Sequence, residues 1–337
     1  MSDVHGSGRV ALVTGVTGQD GVYLARLLAD EGTRVVGTVR PGTTDNPRIP
    51  AYLADVTVLE LDIRDSAALR AILAEHQPDE VYNLAAFTSV GGSWDAHEAV
   101  AATNATAVSG LLQAVVDHRG ATGQDTRVFH ASSGVVGDES PYAVAKAAAE
   151  VAIGEFRGTH GLHASFAKLH NHESPLRGQQ FVTRKITQAV ARIASGDSEP
   201  LKLGNIDVRR DWGFAGDYVD AMCRMVRLDE PVDLEIGTGI DHSLGDLITI
   251  AFEAAGIDDA WQHIELDADL MRPTDAPVLV ADPQPAQAAI GWTARVTFHE
   301  TISGMVAADI ARRATGVAED LRYLKPTAST AIGADTL

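Results

Sequence analysis

The sequence predicts a doubly wound α/β fold, a parallel sheet with helices on both faces, followed by a smaller C-terminal lobe. Three observations carry this. Short apolar runs alternate with segments of helical spacing through the first half of the chain, the pattern of parallel strands joined by crossover helices. The first run opens into a glycine-rich turn and then a helix. The chain of 337 residues, 45% hydrophobic and 22% charged, has ordinary globular composition and length enough for two compact units.

Residues 10–13 (VALV) form the first strand and run into Thr14-Gly15. Residues 23–29 are a helix with Leu24, Leu27 and Leu28 on one side. The second to sixth strands are 35–39, 56–61, 80–84, 127–131 and 163–169. The helices between them are 69–73, an Ala-rich 99–116, and 142–157. Gly, Pro, Thr and Asp mark loops at 41–50 and 122–126. Beyond about residue 170 the alternation loosens, with helices at 181–195, 217–227, 244–255 and 299–312 and a short strand at 201–203. The expected division is a first domain over 1–170, to which about 205–240 returns, a second lobe over 171–316, and a tail over 317–337 whose last fifteen or so residues are mobile.

Twenty-seven basic and 46 acidic side chains give a net charge of −19. A field of that sign repels nucleic acid and anionic membranes, so neither is an expected partner. The one cysteine, Cys223, excludes an intrachain disulfide framework and a Cys-based zinc cluster, and no chemistry is assigned to it. The N-terminal decapeptide MSDVHGSGRV lacks an apolar core, and no run approaches the ~18 consecutive apolar residues of a span. A cytoplasmic protein is expected. Asp241 and His242 have no further ligands at metal spacing, so no metal is predicted.

The first turn reads Thr14-Gly15-Val16-Thr17-Gly18-Gln19-Asp20-Gly21. Glycines there permit a tight turn and let a helix N-terminus approach a pyrophosphate, whose charge its free N–H groups stabilise. With a strand before and an amphipathic helix after, this points to a Rossmann dinucleotide site. The second strand ends Val39-Arg40, with no Asp or Glu to accept from a ribose 2′-hydroxyl. Arg40 suits a 2′-phosphate, which favours NADP while leaving NAD open. Asp62, closing the third strand, either accepts from an adenine amine or caps the next helix. Tyr142 and Lys146 form YxxxK at a helix start, on one face. An ammonium beside a phenol favours the phenolate over its usual pKa of ~10, which makes a general base for a sugar hydroxyl. The fifth strand ends His130-Ala131-Ser132-Ser133, and a serine there can share that hydroxyl.

Together these features resemble the extended short-chain dehydrogenase/reductase superfamily. Residues 10–23 (VALVTGVTGQDGVY), 81–86 (VYNLAA), 140–146 (SPYAVAK), 171–178 (NHESPLRG), 181–186 (FVTRKI) and 210–218 (RDWGFAGDY), with Arg272-Pro273 and Gly291-Trp292, are similar to the GDP-mannose 4,6-dehydratase family. The matched blocks span about residues 9–312. The resemblance implies transient oxidation at sugar C4, loss of water across C5 and C6, and return of hydride to C6. It implies Tyr142, Lys146, Ser133 and Ser132 as catalytic residues. It implies Gly15, Thr17, Gly18, Gln19, Asp20, Gly21, Arg40, Asp62, Ile63, Leu84, Ala85, Ala86, Tyr142, Lys146, Leu169, Asn171 and His172 at the cofactor. At the substrate it implies Thr88, Ser89, Ser93, Asn171, Val182, Lys185, Arg210 and Arg272, and it places Arg184 among the ligand-facing cations.

Two departures surround the reacting sugar. The family's acid/base Glu aligns with Val135, which moves no protons, and the loop after it is shortened. Asp138, Glu139, His130 and His170 are the possible substitutes. The family's Gln-Ser-His after Ala-Ala is Phe87-Thr88-Ser89 here. At the nucleotide end, one Arg of the family's Pro-Arg-Arg-Gly is Leu176. The expectation is an NADP(H)-dependent dehydratase-like lyase acting on a nucleotide sugar or nucleoside. The alternatives are a 4-keto-sugar reductase or epimerase, and a non-catalytic NADP(H)-binding regulator. A homo-oligomer, dimer or tetramer, is expected by resemblance.

Overall fold

A computed structural model describes residues 8–135, 140–270 and 278–325. In chain order the first half is β1 (Val10–Thr14), α1 (Gln19–Asp30), β2 (Arg34–Val39), α2 (Arg48–Tyr52), β3 (Thr57–Glu60), α3 (Ser66–His76), β4 (Glu80–Asn83), α4 (His97–Ala101), α5 (Ala107–Thr122), β5 (Arg127–Ala131), α6 (Pro141–His160) and β6 (Ala164–Leu169). Then follow β7 (Asn171–Glu173), α7 (Val182–Ala194), β8 (Leu201–Leu203), β9 (Arg209–Phe214), α8 (Ala215–Val226), β10 (Leu234–Ile236), β11 (Asp241–Ser243), α9 (Leu244–Ala254), β12 (Ile264–Leu266), β13 (Val278–Leu279), α10 (Gln284–Ile290) and α11 (Phe298–Thr315). The chain divides into two compact units. One holds residues up to Leu169 with Val219–Ile236 and Gln284–Trp292; the other holds His170–Tyr218, Gly237–Pro283 and the residues from Thr293 on.

The first unit is built on a seven-stranded sheet of order β10-β6-β5-β4-β1-β2-β3, every pair parallel. Leu12, Val36, Val81 and Val128 on the strands share one buried cluster with Leu69 and Leu73 of α3, Leu111, Leu112 and Val115 of α5, and Ile153 of α6. The intervening strand residues Ala11, Val13, Val35 and Tyr82 are buried as well. Side chains alternate along a strand, so both faces are covered, as a parallel sheet requires. The strand order reverses between β1 and β4, the switch point where a crevice opens beyond the strand ends. The run His97–Thr122 is long and apolar enough to cross a membrane by composition. Leu111, Leu112 and Val115 instead place its α5 half in the layer over the sheet.

The second unit packs α7, α9 and α11 around Ile186, Val190, Leu247, Ile248, Phe252, Ile302 and Met305. Its strand β9 pairs with β7, β11 and β13. The buried Asp211 on β9 accepts from Thr238 N at 3.0 Å and Oγ at 2.7 Å, and from Gly239 N at 2.9 Å. One carboxylate thereby fixes the turn that follows β10. Strand β7 is only three residues long, too short to leave an alternation pattern. Past Val317 the described residues include a 3₁₀ turn, Leu321–Leu324. Tyr323 buries there against Ala308 and Ala311, 4.2 Å beneath the Arg312 guanidinium. The expected tail is therefore anchored at its start by one aromatic, which periodicity does not reveal.

Candidate active site

Gly15 adopts φ +70°, where a Cβ would lie 3.2 Å from the Ala85 backbone. At Gly21 a Cβ would come within 2.4 Å of Gly15 O, so only glycine permits the turn to close on the helix. The N-cap of α1 is Gly18, with no side-chain cap. The glycine turn thus meets the start of α1, an arrangement that suits the approach of a dinucleotide pyrophosphate. Gln19 Nε2 donates to Asp20 Oδ1 at 3.1 Å. Arg48, which sequence reasoning missed, donates from Nη1 to Thr17 O at 2.9 Å and so brings a guanidinium to this loop. Arg40 is exposed at the end of β2. Asp62 is held by Arg64 at 2.5 Å, and those bonds pull its pKa down to about 2. The cap of α3 is Asp65, which accepts from Ala67 N and Ala68 N. The capping role weighed for Asp62 is therefore corrected.

Thr14 and Asn83 sit opposite one another at the switch point. Thr14 Oγ accepts from Leu84 N and Ala85 N at 3.1 and 3.0 Å and donates to Asn83 Oδ1 at 2.8 Å. That leaves the Asn83 amide to donate to His130 Nδ1 at 3.1 Å. The His130 proton then rests on Nε2, which has no partner among the described residues. Burial, and next the Lys146 charge, hold the His130 pKa well below its ordinary value, so the ring is neutral.

Ser140 caps α6 by accepting from Ala143 N, and Pro141 occupies its first turn. The helix starts at a fixed place and buries Tyr142 and Lys146 together. Lys146 Nζ donates to Ala131 O at 2.6 Å and lies 5.9 Å from the centroid of the Tyr142 ring. Burial lowers the Lys146 pKa to about 8, and the Glu150 charge opposes that fall. Ser133 Oγ accepts from Val135 N at 3.0 Å, a bond that does not use its O–H. Ser132 differs: its hydroxyl donates to Glu150 Oε1 at 2.5 Å. Ser132 is committed to the helix.

Behind this strand end the helical run carries a π turn, Ala102–Thr106. Its buried Asn104 accepts from Phe87 N at 2.8 Å and donates to Phe87 O at 2.9 Å, which fixes the segment after β4. A polar amide inside an apolar helix was the available signal. Ser93 Oγ donates to Val90 O at 2.6 Å and is fully buried, and Ser89 Oγ accepts from Gly92 N. Ser93 thus shapes the loop, in contrast to its expected place at the substrate.

In the second unit His172 Nδ1 lies 2.7 Å from His170 O, and its ring stacks on Tyr218 at 4.6 Å. Asn171 begins β7, opposite Trp212. Lys185 and Val182 are exposed on the first turns of α7. Arg210 donates to Arg209 O at 2.7 Å. Arg184 is a correction. It is buried, pairs with Asp309 at 2.7 and 2.9 Å, and donates to Pro175 O and Arg177 O. With every direction of the guanidinium occupied, it ties the 175–177 loop to α11 and does not face ligand. Leu176, where the family's Arg is absent, is fully buried. Asp138, Glu139 and Arg272 lie outside the described residues. Among the described residues no three His, Cys, Asp or Glu side chains cluster as a metal ion would need.

A doubly wound sheet with a glycine turn at its switch point and a Tyr–Lys pair on the helix after its fifth strand defines the extended short-chain dehydrogenase/reductase class. Within that class the chain belongs to the GDP-mannose 4,6-dehydratase family, whose model, described as GDP-mannose 4,6 dehydratase, matches residues 12–305. GDP-mannose 4,6 dehydratase 1 of Arabidopsis thaliana is 36% identical over 333 residues, covering 92% of each chain. GDP-mannose 4,6-dehydratase of Vibrio cholerae is 35% identical over 351 residues, covering 90% of this chain and 94% of its own. Among solved structures, a UDP-glucose 4-epimerase with UDP-glucose from Thermotoga maritima superposes with a TM-score of 0.78 at 21% identity, covering 90% and 99% of the two chains. A putative epimerase from Burkholderia cenocepacia gives 0.76 at 27% identity with the same coverage.

Proposed function

We propose that this protein is an NADP(H)-dependent dehydratase-like enzyme that acts on the sugar of a nucleotide sugar such as GDP-mannose or of a nucleoside. The observation that carries this is Lys146: a buried ammonium anchored on Ala131 O beside the Tyr142 ring, on the helix start that Ser140 fixes. Its charge favours the Tyr142 phenolate, which takes the proton of the C4 hydroxyl. Ser133 donates to the same oxygen. A bound nicotinamide supplies the acceptor and later the donor of hydride. Residues of the Gly15–Gly21 turn and Arg48 hold its dinucleotide, and Arg40 at the end of β2 supports NADP over NAD.

Elimination needs a group for the C5 proton and for the departing C6 hydroxyl. Val135 provides neither, so the reading assigns these steps to one or more of Asp138, Glu139, His130 and His170. The test is incubation with GDP-mannose and NADP⁺. A product lighter by one water, with no net cofactor reduction, supports the reading. A variant with all four groups neutralised that keeps full activity removes the assignment. Val135 is also what favours the second reading, a 4-keto-sugar reductase or epimerase, which has no need of that Glu. A reductase consumes NADPH stoichiometrically; an epimerase gives a product of unchanged mass.

Self-association and a cytoplasmic location are further parts of the proposal. Val144 and Val151 stand 51% and 63% exposed on α6, an apolar face that a second copy would cover. Sedimentation at micromolar concentration tests this, and a monomer would refute it.

A further inference from the structure

Glu150 lies on α6 one turn beyond Lys146 and two beyond Tyr142. The spacing of four and eight puts all three on one helix face. Its two oxygens have different partners. Oε1 accepts the Ser132 hydroxyl at 2.5 Å, and Oε2 lies 3.6 Å from Lys168 Nζ on β6. Ser132 directly follows Ala131, whose carbonyl is the Lys146 anchor. The carboxylate therefore holds the strand end one residue past the point where Lys146 is tied. The titratable groups facing Lys146 are His130 from β5, which is neutral, and Tyr142 and Glu150 from α6; Lys168 of β6 faces Glu150. Glu150 is the one carboxylate in that set. A buried cation with a single backbone acceptor is poorly compensated, and a nearby anion stabilises its charged form.

We propose that Glu150 is a positioning residue for the Tyr142–Lys146 pair: it pins the Ser132 strand end that carries the Lys146 anchor, and its charge keeps the ammonium protonated, with Lys168 setting how much of that charge is felt. This rests on the proposed role of Lys146 in base activation, and it is testable without turnover.

The experiment is an NMR pH titration of the full-length protein labelled with ¹³Cε-lysine, with and without NADP⁺, with Lys146→Met assigning the resonance. Glu150→Gln keeps an acceptor for Ser132 and removes only the charge. It is expected to lower the Lys146 midpoint by about one pH unit, and to move the alkaline fall of kcat down with it. Lys168→Met removes the opposing cation and is expected to raise the midpoint. A merely structural Glu150 would lower the melting temperature and leave the midpoint where it was; that result overturns the proposal. If Glu150→Gln does not fold, Lys168→Met decides alone, and an unmoved midpoint there counts equally against it. Undiminished turnover in Tyr142→Phe would instead defeat the base assignment and leave the Lys146 titration standing.

Discussion

Two buried cations in family-like blocks have opposite surroundings. Around Lys146 the strand end offers one carbonyl in bonding contact, and burial depresses its pKa to about 8. Around Arg184 the α7–α11 region offers a bidentate carboxylate and two carbonyls. Asp309 is itself satisfied further by Thr187 Oγ at 2.7 Å and Arg312 at 3.0 Å. A cation paired on every side is structure. A cation left short of counter-charge next to a phenol suits the phenolate role proposed for Tyr142. The resemblance assigns ligand contact to Arg184 and catalysis to Lys146. The geometry removes the first and leaves the second as the proposed role.

The largest effect should come from breaking the Lys146 side. Tyr142→Phe is expected to cut turnover about a hundred- to ten-thousand-fold while dissociation of NADP⁺, followed by fluorescence titration, stays the same. Next, Arg184→Met should reverse the pattern. Removing one partner of a buried pair costs about 3–5 kcal/mol, near the lower end here because Asp309 keeps Thr187 and Arg312. Urea unfolding should show that loss, and the pH profile of the surviving activity should not move. A shifted profile would mean that Arg184 acts on the reaction.

The third effect is a pH dependence of opposite sign for activity and stability. The Lys146 pKa is about 8 when folded, against 10.5 for an ordinary lysine. Between those values the unfolded chain binds the extra proton, so stability rises with pH across this window relative to Lys146→Met. Activity falls over the same window as the ammonium is lost. Paired melting curves and rate profiles check both signs. The smallest effect belongs to Asp62, whose pKa near 2 reflects an exposed pair with Arg64. Asp62→Asn should cost no more than about 1 kcal/mol, screened by salt. Its contribution is present above the ordinary carboxylate pKa of 3.8 and is lost as pH falls through 2.

The strand–helix alternation, the glycine turn and the Tyr–Lys pair were legible because each leaves a short-range signature: apolar runs, small residues at a turn, a spacing of four. The different surroundings of Ser132 and Ser133 were not, since both follow the end of β5 and only the bond to Glu150 on α6 sets Ser132 apart. Arg184 misled because its partner, Asp309, lies 125 residues away. Glu150 carried a usable signal, one turn past Lys146, yet its meaning depends on Ser132 18 residues earlier. Arg48 became visible only when α2 brought it to Thr17.

In the proposed reaction Tyr142 and Lys146 drive an internal oxidation whose hydride returns to the same sugar. The most direct measurement is NMR of the product from GDP-mannose deuterated at C4, incubated with the NADP⁺-loaded protein. Deuterium is expected at C6 of a dehydrated 4-keto product, formed about a hundred- to ten-thousand-fold more slowly by Tyr142→Phe. Deuterium retained at C4, or passed to the cofactor and lost, would contradict it.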